Sequence, residues 1–219
     1  MTYNMGMTSI EFYYDPSCPF CWITSRWLLQ VQAEREIDIT WRQFSLALKN
    51  NELQPSDEEG IHAAVHRNSH RIQRVICKAT TEYGASGIEL YSEFGIRFHI
   101  MEKGFGDDII REVLEAKNLP IELLTAAADD TSLDAALQSE LDTATDAAGK
   151  DIGVPTIVFA DKAGKRMGYF GPVLNELPST LEESLGLWDG LEKLASTSSF
   201  YEIKRARPGA PNVFSAARC

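Results

Sequence analysis

The chain has 219 residues, of which 44% are hydrophobic and 24% charged, and its formal net charge at pH 7 is −11. This composition is ordinary for a globular protein, and the acidic balance excludes nucleic acid as an expected partner, because phosphate binding needs clustered Lys and Arg. Residues 1–9 carry no basic leader, and no stretch has the roughly 20 apolar residues of a membrane span, so the sequence predicts a cytoplasmic protein with no membrane partner.

The chain begins with the pattern of a strand, a helix and a second strand. Residues 9–14 alternate, with Ile10, Phe12 and Tyr14 on one face, and residues 37–41 alternate in the same way. Between the two runs, apolar residues from position 23 to position 31 follow helical spacing. This order predicts a βαβ unit with a right-handed crossover.

The middle of the chain, residues 47–150, has helical periodicity and no convincing strand, so it is predicted to be all-helical. Three apolar faces follow one another along it: Ile72, Val75, Ile76 and Ala79; Ile109, Ile110, Val113 and Leu114; Leu133, Ala136, Leu137 and Leu141.

Strand patterns return in the last third of the chain. Residues 156–159 and 166–170 are predicted to form a hairpin around a turn at residues 161–164. A final helix is predicted from about residue 173 to residue 195, with Pro178 as a position where it could break. The predicted α/β layout is a βαβ unit, a helical insertion and a ββα unit.

A Cys-Pro-Phe-Cys sequence at residues 18–21 lies where the first strand gives way to the first helix. Residues three apart on a helix share a face, so Cys18 and Cys21 can form and break a disulfide. Unpaired N–H groups of the first turn favour a thiolate at Cys18, and Pro19 suits this turn because it has no N–H. We therefore predict that Cys18 is the nucleophile and that Cys21 resolves the mixed disulfide.

Two other interpretations of the cysteine pair are a structural pair and half of a zinc site. A zinc ribbon needs a second Cys-x-x-Cys or a His pair, which Cys77 and Cys219 do not supply. His62, His66 and His70 have a spacing typical of metal ligands, but with no identifiable partners they are predicted to form a solvated polar face. No metal is predicted, and Cys77 is predicted to be an inert buried thiol.

Three further features bear on the site. Val154 and Pro155 precede a predicted strand, and the peptide bond between them is a candidate for the cis form. A cis proline that faces the dithiol would expose main-chain groups with which a substrate could pair. The alternative interpretation is a simple turn. Phe20 is predicted to lie exposed beside Cys18, where it would favour a flat or apolar substrate. The basic cluster at residues 204–207 is predicted to be a solvated terminus.

The run of residues 10–22 resembles the opening of the DsbA-like branch of the thioredoxin superfamily. Residues 94–114 resemble the helical-insertion segment of those proteins, where His99 would either approach the dithiol or be structural. Residues 153–156 and 171–174 resemble their cis-proline loop and the start of their last helix. The resemblance implies a thioredoxin fold made of residues 1–46 and 151–219, with residues 47–150 as a helical insertion domain.

Within this branch, residues 21–27, 45–48 and 169–174 resemble the mycothiol-dependent nitroreductase-type proteins. This narrower resemblance implies a Cys18 nucleophile and no tightly bound cofactor, with mycothiol or another low-molecular-weight thiol as co-substrate. The chain departs from the group in residues 51–69 and in having Phe20 where Trp is usual. The candidate substrate-binding residues are Pro19, Phe20, Trp22, Asn50, Val154, Pro155 and Thr156.

No His lies between the two cysteines. A cation there would stabilise the Cys18 thiolate and make the pair more oxidising, so its absence favours the reducing direction. We therefore predict a cytoplasmic thiol–disulfide oxidoreductase that acts on a disulfide or an electrophilic small molecule and is regenerated by a small thiol; protein disulfides are further candidate substrates. Two alternatives remain open. One is a protein disulfide oxidase or isomerase of the same fold, and the other is a non-catalytic redox-sensing module.

Overall fold

The computed structural model describes residues 8–160 and 164–217, and its strands form one mixed sheet. In chain order these strands are β1 (Thr8–Tyr14), β2 (Ile37–Gln43), β3 (Thr156–Ala160) and β4 (Arg166–Phe170). In space the order is β2-β1-β3-β4, with β1 parallel to β2, β3 antiparallel to β1, and β4 antiparallel to β3. This arrangement confirms the predicted α/β class with its βαβ and ββα halves. Residues 161–163 of the predicted hairpin turn lie outside the described residues.

The central strand β1 is buried on both of its faces. Helices α1 (Pro19–Gln32) and α8 (Leu181–Ala195) pack together, and Trp188 of α8 contacts Phe159, the register partner of Ile10. On the opposite face, α7 (Asp134–Ala148) packs against the other three strands. The sequence predicts alternating burial along β1, but residues 12–14 are all buried, because both faces of the sheet are covered there.

Between β2 and β3 the chain is helical, as predicted. The elements before α7 are α2 (Leu46–Lys49), α3 (Ala63–Tyr83), α4 (Gly87–Gly95), a π-helix (Ile96–Ile100) that continues α4, α5 (Asp107–Ala116), α6 (Leu123–Ala126) and a 3₁₀ turn (Thr131–Leu133). None of the helices in the described part of the chain has both the length and the apolar character needed to cross a membrane.

Buried apolar side chains form two clusters. The first lies at the sheet and contains residues of β1, α1, β3, α8 and α7. The second lies within residues 72–128 and contains the first two predicted apolar faces of the helical block. The third predicted face was partly wrong: Ala136 is exposed, and the buried residues of α7 are Leu137, Leu141 and Ala144, of which the last two pack in the sheet cluster.

The last helix begins later than the sequence predicts. The backbone of residues 173–180 is a loop that includes Pro178, and α8 starts after Thr180, whose hydroxyl accepts the N–H of Glu183 at 3.1 Å. Glu183 in turn accepts the N–H of Ser179 at 2.8 Å. This reciprocal cap fixes the start of α8, and its Thr-x-x-Glu signature is readable in the sequence.

Candidate active site

Cys18 is the N-cap residue of α1. Its extended backbone (φ −79°, ψ 114°) ends the loop after β1, and its Sγ accepts the N–H of Cys21 at 3.4 Å. The Cys18 thiol also donates to the carbonyl oxygen of Val154 at 3.5 Å. This contact places the loop of residues 153–156, which directly precedes β3 and contains a cis Val154–Pro155 peptide, against the dithiol.

The two cysteines differ in exposure. Cys18 is 7% exposed, whereas Cys21 is fully buried one turn into α1. Burial raises the pKa of the Cys21 thiol well above its ordinary value, and the hydrogen bond with Cys18 raises it further. Of the two, only Cys18 retains any exposed surface, while Cys21 is held as a thiol behind it.

The carboxylate of Asp15 organises the loop that leads to Cys18. Asp15 is fully buried, and its Oδ1 accepts hydrogen bonds from the Ser17 N–H at 2.8 Å, the Ser17 hydroxyl at 2.6 Å and the Ser69 hydroxyl at 2.5 Å. The main-chain oxygen of Asp15 accepts the N–H of Cys18 at 3.0 Å. Asp15 thereby holds Ser17 and the backbone of Cys18 in place, and this sets the position of the nucleophile.

The second oxygen of Asp15 reaches into the helical block. Oδ2 accepts the N–H of Leu46 at the start of α2, at 2.8 Å, and the Nε2 amide of Gln73 on α3, at 3.0 Å. An Asp two residues before a Ser is typical of an Asx turn, so the contact with Ser17 was visible in the sequence. The donors from α2 and α3 were missed, because only the folded chain brings them close.

A second buried network lies beside the first. His70 is 2% exposed; its Nδ1 lies 2.8 Å from the Ser45 hydroxyl and its Nε2 lies 2.9 Å from Asp134. Arg74 donates to both oxygens of Asp134, at 2.6 and 2.8 Å. Burial lowers the pKa of His70, although Asp134 opposes this change. The network joins α2, α3 and α7 in the interior.

The predicted solvated histidine face is therefore wrong at His70. His62 is exposed, but His66 lies 2.6 Å from Glu52, and His70 faces α2 and α7, whose positions the local pattern does not contain. Within residues 8–160 and 164–217, no group of three or more His, Cys, Asp or Glu side chains is arranged to hold a metal ion.

Trp22 and His99 pack together behind the loop that leads to Cys18. Trp22 is 1% exposed, with His99 stacked on it at 5.8 Å and the guanidinium of Arg26 at 4.4 Å from its ring centroid. His99, in the π-helix, donates from Nε2 to the Pro16 oxygen at 2.9 Å, and burial lowers its pKa to about 4. The sequence predicts that Trp22 binds substrate, but its side chain is buried. The contact of His99 is with the loop before Cys18.

The remaining predicted site residues are spread more widely. Pro19 and Phe20 are half-buried between the cysteines, whereas Thr156 is fully buried and donates to the Gly153 oxygen. Asn50 lies exposed at the end of α2, where its amide donates to Glu52; no contact among the described residues joins it to the dithiol.

The sequence prediction missed one contact of Phe20. The guanidinium carbon of Arg207 lies 4.7 Å from the centroid of the Phe20 ring. The basic cluster at residues 204–207 is exposed, as predicted, but it is not merely a solvated terminus, because one of its members covers the ring between the cysteines. Cys219 lies outside the described residues, and Cys77 is half-buried rather than buried, with a pKa raised by burial.

Comparison with known proteins identifies a family. The model of the Rv2466c-like family, described as mycothiol-dependent nitroreductase Rv2466c, matches residues 17–205. An uncharacterized protein of Mycobacterium tuberculosis (strain ATCC 25618 / H37Rv), Rv2286c, is 28% identical over 206 residues, which cover 92% of this chain and 83% of that protein.

Solved structures share the fold at low sequence identity. A putative protein disulfide isomerase from Nitrosomonas europaea has a TM-score of 0.55 at 10% identity, over 85% of this chain and 99% of that chain. The cytosolic disulfide reductase DsbM from Pseudomonas aeruginosa has a TM-score of 0.53 at 13% identity, over 85% and 99% of the two chains. These similarities establish a DsbA-like thioredoxin fold.

Proposed function

Since the chain belongs to the Rv2466c-like family of mycothiol-dependent nitroreductases, we propose that it is a reductase whose oxidised dithiol is restored by mycothiol. Thiol–disulfide oxidoreductase chemistry is common to this family and to the proteins of similar structure. The single observation that carries the proposal is the pairing of a slightly exposed Cys18 at the N-terminus of α1 with a fully buried Cys21 one turn behind it.

The proposed reaction transfers two electrons from the dithiol to a disulfide. The Cys18 thiolate attacks one substrate sulfur, forms a mixed disulfide and releases the other sulfur as a thiolate. Cys21 then attacks the Cys18 sulfur and displaces the second substrate sulfur; the thiol proton of Cys21 leaves with that sulfur, and a Cys18–Cys21 disulfide remains. Two mycothiol molecules reduce that disulfide and leave as mycothiol disulfide.

Three observations support the reducing direction and a cytoplasmic location. No His separates the cysteines, so the Cys-Pro-Phe-Cys sequence itself supplies no cation that would make the disulfide more oxidising. The family is named for its dependence on mycothiol, a low-molecular-weight thiol, and the similar DsbM is described as a cytosolic disulfide reductase. Electrophilic small molecules and protein disulfides are both proposed substrates.

The test is the reduction potential of the Cys18–Cys21 pair, measured by tryptophan fluorescence in thiol redox buffers. Trp22 adjoins Cys21 and is buried, so its emission should report the redox state. We expect a potential near or below about −230 mV, and a value of about −120 to −180 mV would instead indicate an oxidase or isomerase. The oxidised protein should then be reduced by mycothiol.

Two variants control this experiment. Cys18→Ser should abolish turnover with any disulfide, and full turnover in this variant would contradict the mechanism. Cys21→Ser keeps the nucleophile but removes the resolving thiol, so it should accumulate a mixed disulfide with mycothiol, detected by intact mass. A dithiol that equilibrates with redox buffers but gives no turnover with any thiol would instead indicate a redox-sensing module.

A further inference from the structure

The segment that follows α8 returns to the active site. Residues 201–209, here called the strap, are all exposed. Both ends of the strap are held: Phe200 stacks on Tyr169 of β4 at 5.8 Å, and the Asn212 N–H donates to the Asn175 oxygen at 2.7 Å. The strap is thus a surface loop with fixed ends rather than a loose terminus.

Arg207 is the strap residue that contacts the active site. Its guanidinium carbon lies 4.7 Å from the centroid of Phe20, the ring between the two cysteines. Lys204 and Arg205 lie on the same strap, in a chain whose net charge is −11. The family model matches residues 17–205, and Arg207 lies two residues beyond that match. The strap therefore brings a positive charge to the ring between the two cysteines of an acidic protein.

A guanidinium over an aromatic ring is attracted to the ring face by its charge, and it still has N–H donors with which to bind an anion. These donors match a carboxylate in bidentate geometry, whereas the ring beneath offers a flat apolar surface. We propose that Arg207 determines specificity: together with Phe20 it favours disulfides and electrophiles that carry a carboxylate or another anionic group beside the reacting atom. This inference rests on the proposed function, because it requires Cys18 as the nucleophile.

Two disulfide probes separate charge from reactivity. Dithiobis(nitrobenzoate) is a dianion with a carboxylate on each ring, and dithiodipyridine is a neutral aromatic disulfide of similar shape at neutral pH. With either probe, Cys18 attacks one sulfur and releases one aryl thiolate, and Cys21 then attacks Cys18 and releases the second. The dithiol loses two electrons and the probe gains them, so no other reagent is needed.

The measured quantity is the ratio of the two bimolecular rate constants, dianion over neutral probe, for the reduced full-length protein in stopped flow. The ratio cancels any change in the amount of Cys18 thiolate, because the same thiolate attacks both probes. Arg207→Gln should lower this ratio by about three- to fivefold, as expected for one exposed charge pair. Arg207→Lys should lower it less, and Cys18→Ser gives the background reaction of the three other cysteines, Cys21, Cys77 and Cys219.

Arg205→Gln is the matched control, because it removes the same charge from the same strap two residues away. It should leave the ratio nearly unchanged, and added salt should lower the ratio in the wild type more than in Arg207→Gln. An unchanged ratio in Arg207→Gln, or an equal fall in Arg205→Gln, would overturn the role of Arg207. Neither outcome involves mycothiol, so failure of mycothiol to reduce the protein would overturn the proposed co-substrate alone.

Discussion

The carboxylate of Asp15 shows how single residues set the position of the nucleophile. Transferring a carboxylate out of water is costly unless hydrogen bonds replace those of the solvent. Asp15 is fully buried and accepts five such bonds, three of them from residues beyond β2. The same carboxylate therefore compensates its own burial and holds the loop of Ser17 and Cys18 in place.

We predict that Asp15→Asn destabilises the protein by roughly 3 kcal/mol, because the amide has about the same size but puts N–H groups opposite donors that lose their acceptor. Denaturant unfolding of the reduced protein measures this change, and the attack rate of Cys18 on a disulfide probe should fall with it. Asp57→Asn, at an exposed position, is the control. A loss below about 0.5 kcal/mol for Asp15→Asn would contradict the assigned role.

His99 should make stability depend on pH. Its pKa is lowered from 6.5 to about 4 in the folded protein by burial. Between these values the unfolded chain binds a proton that the native protein does not, so stability falls as the pH falls, by up to roughly 3 kcal/mol. His99→Gln retains a donor for the Pro16 oxygen but does not titrate.

The difference in unfolding free energy between wild type and His99→Gln should therefore change by that amount between neutral pH and pH 4. The contribution of His70, whose pKa is also lowered, is present in both proteins and cancels. Parallel stability profiles over this range would show that His99 is not held neutral.

The chemistry of residues 18–21 could be predicted from the sequence, because a dithiol at a strand-to-helix junction is a local pattern. The partners of these residues could not. Asp15 receives donors from positions 46, 69 and 73, and Phe20 meets Arg207 at the far end of the chain. These contacts depend on tertiary structure, on which spacing and propensity give no information.

At the level of elements, Gly95 allows α4 to approach α1 closely. A Cβ at this position would overlap the six-membered ring of Trp22, which is 1% exposed and has no space to move. The close approach places the π-helix, and with it His99, beneath the loop before Cys18. The absence of a side chain at residue 95 is thus part of how the helical block supports the site.

We predict that Gly95→Ala lowers the unfolding free energy by about 1–3 kcal/mol through overpacking, and that it shifts the tryptophan emission. Gly186→Ala in α8 is the matched control, since a Cβ there would meet no atom within 4 Å. At this exposed helical position alanine should stabilise by up to about 1 kcal/mol. The same sign of effect at both positions would contradict the packing argument.

Element types were easier to predict than element limits. The strands and most helical faces follow from periodicity, as do the two faces at residues 72–79 and 109–114. The start of α8 depends on the cap formed by Thr180 and Glu183, and the π-helix at Ile96–Ile100 inserts one residue into a helix that local propensity would continue as α-helix.

For the molecule as a whole, the two apolar clusters suggest where the chain divides. The cluster within residues 72–128 belongs to the helical block alone, whereas Leu141 and Ala144 of α7 pack in the sheet cluster. We propose that the insertion begins near residue 47, as the sequence predicts, and that it ends before α7 rather than at residue 150.

The hydrogen bonds of Asp15 also limit whether the helical block can be exchanged for another during evolution. Two of the donors to its carboxylate, Ser69 and Gln73, belong to α3. A chimera that received a different helical block would keep a buried charge beside its nucleophile without these donors. The block is therefore interchangeable only with one that supplies equivalent donors, unless residue 15 changes in the same step.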